Sequence, residues 1–129
     1  MTEIDYVLDA SAVLAYLRGE PGSHSVAAVL ERSALGAVNY FEVLAKMVRD
    51  GYDPKEAAAD VIGLGLVVVP FDEGLAREGA DLASYGWTHG LSLGDRACLT
   101  LARHLGVPAV TADRRWEIPG LPVQVRFVR

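Results

Sequence analysis

Cysteine and lysine are almost missing from this chain, and long apolar stretches are missing altogether. Cys98 is the sole thiol among 129 residues, which excludes an internal disulfide framework. Three scattered histidines, His24, His89 and His104, have no Cys/His ligand spacing, so a structural zinc site is not expected. No apolar run approaches the roughly 18 residues of a membrane span. The opening segment Met1-Thr2-Glu3-Ile4-Asp5 is acidic where a secretory signal needs a basic one. These absences lead to the expectation of a cytoplasmic protein with no membrane association. Repeats, low-complexity tracts and linkers are also lacking. With 51% of its residues apolar, the chain has enough material for one continuous core, and residues 1–129 are expected to form a single domain.

The formal net charge of −5 argues against non-specific nucleic-acid binding, which depends on neutralising phosphates with cationic side chains. A basic patch would therefore have to do any such binding. The only lysines are Lys46 and Lys55, against ten arginines. Genomic composition and phosphate recognition by a planar bidentate guanidinium explain that bias equally well.

Strands and helices alternate along the chain. Ile4 to Leu8 is a short apolar run without clean alternation, as in a strand buried on both faces. Ala10–Leu17 reads as a helix, the cluster Gly19-Glu20-Pro21-Gly22 breaks it, and Ser23–Arg32 reads as a second helix. Ala34–Val38 predicts a strand. Asn39 then starts a helix whose apolar stripe is Phe41, Leu44, Ala45 and Val48, with Gly51 as its stop. Asp53-Pro54 opens a helix reaching Leu64, and Leu66–Pro70 is the clearest strand.

Asp72, a helix N-cap, begins a helix to Ser84 that ends at Tyr85-Gly86, and Trp87–Gly90 reads as loop. From Leu93 the stripe Cys98, Leu101, Ala102 and Leu105 marks a helix closed by Gly106. Ala109–Thr111 and Val123–Val128 are the last strands. The pattern predicts an α/β fold in which a central parallel sheet is flanked by helices on both faces.

Four carboxylates stand at the seams of this pattern: Asp9, Glu42, Asp95 and Asp113. Ligands of such sheets sit beyond the carboxyl ends of the strands, where strand order reverses. Asp9 and Asp113 lie at strand ends, while Glu42 and Asp95 fall in first helical turns, where the helix dipole steadies anions. Taken singly, each acid is equally explained as a cap, and Asn39-x-x-Glu42 and Ser92-x-x-Asp95 resemble capping boxes. Together they would line one cleft with oxygens, and clustered anions call for a hard cation between them. Setting the four acids against bound cations leaves −5 + 4 = −1 on the rest of the chain.

In order along the chain, the segments Val7-Leu8-Asp9-Ala10-Ser11-Ala12, Asn39-Tyr40-Phe41-Glu42-Val43, Leu91-Ser92-Leu93-Gly94-Asp95-Arg96-Ala97 and Thr111-Ala112-Asp113 resemble those of PIN-domain nucleases. The narrower likeness is to the VapC-type ribonuclease toxins of toxin–antitoxin pairs. The resemblance covers essentially the whole length. It implies an endoribonuclease dependent on Mg2+ or Mn2+, a homodimer, and a VapB-type antitoxin whose C-terminal segment covers the cleft. No organic cofactor is implied.

Carried over by position, Asp9, Glu42, Asp95 and Asp113 form the catalytic quartet. Asp9 and Asp95 are expected to hold the principal ion, with Asp113 reaching it directly or through water and Glu42 orienting the attacking water. Ser11 and Thr111 are polar supports. Arg96, Arg114 and Arg115 are candidate RNA-phosphate contacts.

Other residues have plainer readings. Trp116 could stack on a base but more simply covers the core, Cys98 behaves as a small hydrophobe, and His89 is an exposed loop residue. Tyr16 and Leu17 suit either core packing or a protein-binding surface. Two rival functions share parts of this pattern. An aspartyl-phosphate phosphatase needs a second Asp two residues after Asp9, where Ser11 stands, and a receiver needs a late Lys that this chain lacks. A PIN fold serving as a catalytically silent scaffold is the other rival, and the intact quartet argues against it.

Overall fold

The computed structural model describes residues 3–129; Met1 and Thr2 of the acidic opening lie outside the described residues. The apolar run that stops at Asp9 forms β1 (Tyr6–Leu8), and it occupies the middle of a five-stranded sheet. The others are β2 (Ser33–Gly36), β3 (Val67–Val69), β4 (Ala109–Thr111) and β5 (Val125–Phe127). All pairings are parallel, in the order β3-β2-β1-β4-β5. The chain winds outward from β1 in one direction to β3, then crosses back to place β4 on the other side. The switch point is thus the crevice between the ends of β1 and β4.

Register explains why these strands lack clean alternation. Val7 lies between Ala34 and Ala109, while Leu8 lies between Leu35 and Val110. Successive side chains point to opposite faces, so Leu8, Leu35 and Val110 enter one core cluster and Val7, Ala34 and Ala109 the other. On the first face lie α1 (Ala10–Leu17), α2 (Ser23–Ala27), α3 (Ala37–Arg49) and α4 (Pro54–Ile62), which contribute Val13, Val26, Val43, Met47 and Val61. On the second lie α5 (Glu73–Glu78), α6 (Ser84–His89) and α7 (Leu93–Leu105), with Leu75, Leu99, Leu101 and the buried Trp116. Truncating a central side chain such as Leu8 to Ala would cost about 2–5 kcal/mol.

Several boundaries differ from the sequence reading, each for a local reason. The helix expected over residues 23–32 breaks after Ala27 and resumes as a 3-10 turn at Leu30–Arg32. Val29 is the N-cap of that turn, and its carbonyl accepts from the Ser33 hydroxyl at 2.7 Å, which takes up an acceptor the α-helix no longer uses. The strand expected to reach Val38 ends at Gly36, which is the N-cap of α3. Asn39 is therefore inside α3 and does not start it. The buried face of α3 runs Asn39, Val43 and Met47; of the expected stripe Leu44 packs half-buried on the core, while Phe41, Ala45 and Val48 are exposed.

The helix expected from Asp72 to Ser84 ends at Glu78 with Gly79 as its C-cap, a position that must be Gly because a Cβ would meet Thr100 Oγ1 of α7 at 2.1 Å. A 3-10 turn, Ala80–Ala83, follows. Residues 87–89, read as loop, belong to α6, which ends at Gly90 with φ +71°. Asp72 and Gly106 take the capping positions expected of them.

Candidate active site

Asp9 ends β1 and starts α1. Its backbone N–H donates to Val110 of β4 at 3.0 Å, and its Oδ1 accepts the Ala12 N–H at 2.8 Å, a helix N-cap. The Ser11 hydroxyl lies 2.8 and 2.9 Å from the two carboxylate oxygens, and Thr111 Oγ1 donates to Oδ2 at 2.6 Å. With 3% of its surface exposed, Asp9 is one of the few buried polar or charged residues. Burial pushes its carboxyl up to about 6, against the hydrogen bonds from Thr111, Ala12 and Ser11, and the negative charge of Asp95 adds to the rise.

Asp95 stands in the first turn of α7 and closes a capping box with Ser92. Its Oδ2 accepts the Ser92 N–H at 2.9 Å, and its own N–H donates to Ser92 Oγ at 3.1 Å. Glu42 is in the second turn of α3, beyond the free N–H groups that the sequence reading assigned it. What holds it is Asn39, whose Nδ2 donates to Glu42 Oε1 at 3.0 Å. The resemblance of Asn39-x-x-Glu42 to a capping box is thus replaced by a side-chain pair one helical turn apart. Burial raises the Glu42 carboxyl, Asn39 and Lys46 oppose the rise, and Asp95 adds to it.

Asp9, Glu42 and Asp95 therefore share one electrostatic neighbourhood. Cys98, buried on α7 behind them, feels all three: burial raises its thiol well above the ordinary range, and each of these acids raises it further. Among the described residues, none of the three carboxylates has a Lys, Arg or His within salt-bridge distance. Three carboxylates around one cleft, none paired at salt-bridge distance among the described residues, are the donor set that a hard, oxygen-seeking divalent ion accepts. As they stand, no three Asp, Glu, His or Cys side chains among the described residues are gathered tightly enough to grip one ion.

Asp113 follows β4 and is tied to the same framework, its N–H donating to Thr111 Oγ1 at 3.0 Å. Its carboxylate is held by Arg115, with Nη2 to Oδ2 at 2.7 Å and Nε 3.1 and 3.0 Å from the two oxygens. The Arg115 side chain holds this carboxyl below its usual range, outweighing burial. Arg115 in turn feels Asp95, which places Asp113 beside the cluster but engaged with a guanidinium. Ser11 and Thr111 join the two strand ends: their hydroxyl oxygens are 3.2 Å apart, and Ser11 Oγ accepts the Ala112 N–H at 3.0 Å.

The arginines separate. Arg114 pairs with Glu117, donates to the Arg129 carbonyl and stacks on Phe127 at 4.5 Å, and Arg115 is spent on Asp113. Arg96 has no carboxylate partner among the described residues, only the Ser92 carbonyl at 3.3 Å. It also lines an apolar groove of about 280 Å3 with Val38, Phe71, Leu93 and Ala97. Phe41, Leu93 and Trp87 are 73%, 70% and 77% exposed. Tyr16 and Leu17 pack on the core, and Trp116 is buried and presents no face for stacking.

Two residues at the site had no functional reading in the sequence, Asn39 and Gly94. The i, i+3 spacing of Asn39 and Glu42 was the available signal, since it puts two side chains on one helix face as readily as it marks a cap.

The PIN domain family model matches residues 6–119. None of the curated proteins matches the chain in sequence. Among solved structures, the chain is similar to DNA-bound VapBC from Salmonella typhimurium, with a TM-score of 0.73 and 15% identity over 98% of this chain and 99% of that one. It is similar to FitAcB from Neisseria gonorrhoeae, with a TM-score of 0.68 and 24% identity over 95% and 97%. A third is VapC20 from Mycobacterium tuberculosis, described as a Sarcin-Ricin loop cleaving toxin, with a TM-score of 0.71 and 14% identity over 95% and 99%. At these identities the likeness is one of fold.

Proposed function

Because the chain belongs to the PIN domain family, we propose that it is a single-domain, divalent-metal-dependent endoribonuclease acting as the toxin of a toxin–antitoxin pair in the cytoplasm. The observation that carries this reading is the mutual influence of Asp9, Glu42 and Asp95 near the switch point of the sheet, with no Lys, Arg or His at salt-bridge distance from any of them among the described residues.

Asp9 and Asp95 would hold a Mg2+ or Mn2+ ion, joined by Asp113 once its carboxylate turns from Arg115. Such an ion, when bound, stabilises the charge growing on a phosphate and its leaving oxygen. The chain's own residues do the rest. Ser11 and Thr111 keep the Asp9 oxygens facing the cleft, and the Asp95 capping box fixes that carboxylate at the start of α7. Glu42, raised by its surroundings, accepts a proton from the attacking water. Arg96 binds a substrate phosphate, a role for which Arg114 and Arg115 are already engaged elsewhere.

A VapB-type antitoxin fits the exposed apolar side chains Phe41, Leu93 and Trp87 and the groove beside Arg96. A homodimer is part of the same reading and rests on the family resemblance.

The test is cleavage of a structured RNA panel by the purified chain with Mn2+ and with chelator, followed by sequencing of the new RNA ends for wild type and Asp9→Asn. Metal-dependent ends produced by the wild type alone support the reading. Metal binding with no cleavage across the panel would favour a silent scaffold, and full activity of Asp9→Asn would remove the site.

A further inference from the structure

We propose that Asn39 is a positioning residue for Glu42, and that Asn39 and Gly94 together decide which oxygen of the Glu42 carboxylate faces the acidic cluster. This rests on the reading of Glu42 as part of the nuclease centre and adds to it a residue that packing alone does not explain.

Asn39 is 1% exposed and spends both hydrogens of its Nδ2, one on Glu42 Oε1 and one on the Gly94 carbonyl of α7, each at 3.0 Å. Its own Oδ1 is buried without a partner among the described residues. The orientation of the amide is not arbitrary, since turning it over would set its oxygen against two other acceptors. A buried amide kept only to join two helices would be expected to satisfy both of its ends, because an unpaired buried acceptor is destabilising. Here the acceptor end is sacrificed and both donors converge on Glu42 and the backbone beside it.

Gly94 completes the arrangement from the opposite side. A Cβ there would lie 2.1 Å from Glu42 Oε1, 2.5 Å from Cδ and 2.7 Å from Oε2, so the carboxylate rests flat on a bare Cα. Oε1 is thereby fixed by Asn39, and Oε2 accepts no hydrogen bond among the described residues. Oε2 is the oxygen left to take a proton from water. Asn39 touches neither substrate nor reacting atoms and works through Glu42.

A double-mutant cycle tests this, using cleavage by wild type, Asn39→Ala, Glu42→Gln and the double variant, with folding checked by circular dichroism. Asn39→Ala should lower kcat by about 10–100-fold, the usual effect of removing a partner one shell out, and leave KM within a few-fold. In the Glu42→Gln background it should add little, because residues acting through one another are not additive. Losses that multiply would overturn the proposal. A crystal structure of Asn39→Ala decides independently of activity: the Glu42 carboxylate should leave Gly94, and an unmoved carboxylate overturns the proposal even if the wild type cleaves no RNA, a result that by itself removes only the nuclease reading. If Asn39→Ala does not fold, Gly94→Ala displaces the same carboxylate from the other side, and wild-type kcat in that variant is equally fatal.

Discussion

Thr111 Oγ1 donates to Asp9 Oδ2 at 2.6 Å, joining the ends of β1 and β4 across 102 residues of sequence. The same oxygen accepts the backbone N–H of Asp113, so one hydroxyl orders two of the four proposed catalytic acids. Thr111→Val keeps the shape of the side chain and removes both bonds. Since the Thr111 bond is the largest influence holding the Asp9 carboxyl down, its loss should move that carboxyl further upward. Cleavage near neutral pH should fall about 10–100-fold, as for other supporting hydrogen bonds of a metal centre. The pH–rate profile of Thr111→Val checks this: an unmoved acid limb with unchanged kcat would refute it.

Burial gives Asp9 a pH-dependent effect on stability with an unusual sign. Its folded-state value of about 6 lies above the ordinary 3.8, so between these values the folded chain keeps a proton that the unfolded chain has released. Its contribution is therefore fully present below about pH 4 and is lost as pH rises through 6, a change of about 3 kcal/mol for a shift of about two units. Asn at this position can still cap α1 but cannot ionise. The prediction, with chelator present, is that denaturant-derived stability of Asp9→Asn relative to wild type rises by roughly that amount between pH 4 and 7. A difference that stays flat over this range would show that Asp9 is not buried as an acid.

Arg115 competes for Asp113. Its three contacts with the carboxylate must loosen before those oxygens can serve a metal ion. Arg115→Gln should therefore tighten Mn2+ binding, on the order of several-fold, since the surface-exposed pair itself is worth only about 1 kcal/mol. Calorimetric titration of both chains supplies the comparison. Weaker binding in the variant would mean that Arg115 holds Asp113 in place for the ion and does not withhold it.

The parts of this architecture that were legible beforehand are those set by short-range rules. The parallel sheet followed from apolar runs buried on both faces, the starts of α1, α5 and α7 from Asp9, Asp72 and Ser92, and the end of α7 from Gly106. The start of α3 was misplaced because Gly36, a weak signal, serves as its cap, while Asn39 has stronger capping credentials and spends its side chain elsewhere. The outward turn of Phe41 was hidden for the same reason, since the burial of a polar Asn39 in place of Phe41 is decided by α7, more than 50 residues away. Gly94 carries no signal of its own in the sequence, and only the approach of Glu42 shows why no larger side chain fits. Likewise the three adjoining arginines read alike in sequence and differ only through their distant or local partners.

That difference among the arginines gives the last prediction. Arg96 has no carboxylate partner among the described residues and sits one position from Asp95, whereas Arg114 is paired with Glu117 and stacked on Phe127. A guanidinium that binds a phosphate of single-stranded RNA releases a counterion and contributes about 0.7 to the slope of log affinity against log salt. Binding of an uncleaved RNA, measured over a salt series, should therefore lose about that much slope in Arg96→Ala. Arg114→Ala should leave the slope nearly unchanged, because its charge is already compensated. Equal changes in both variants would place the phosphate path along a broader basic surface, and no change in either would move it away from the start of α7.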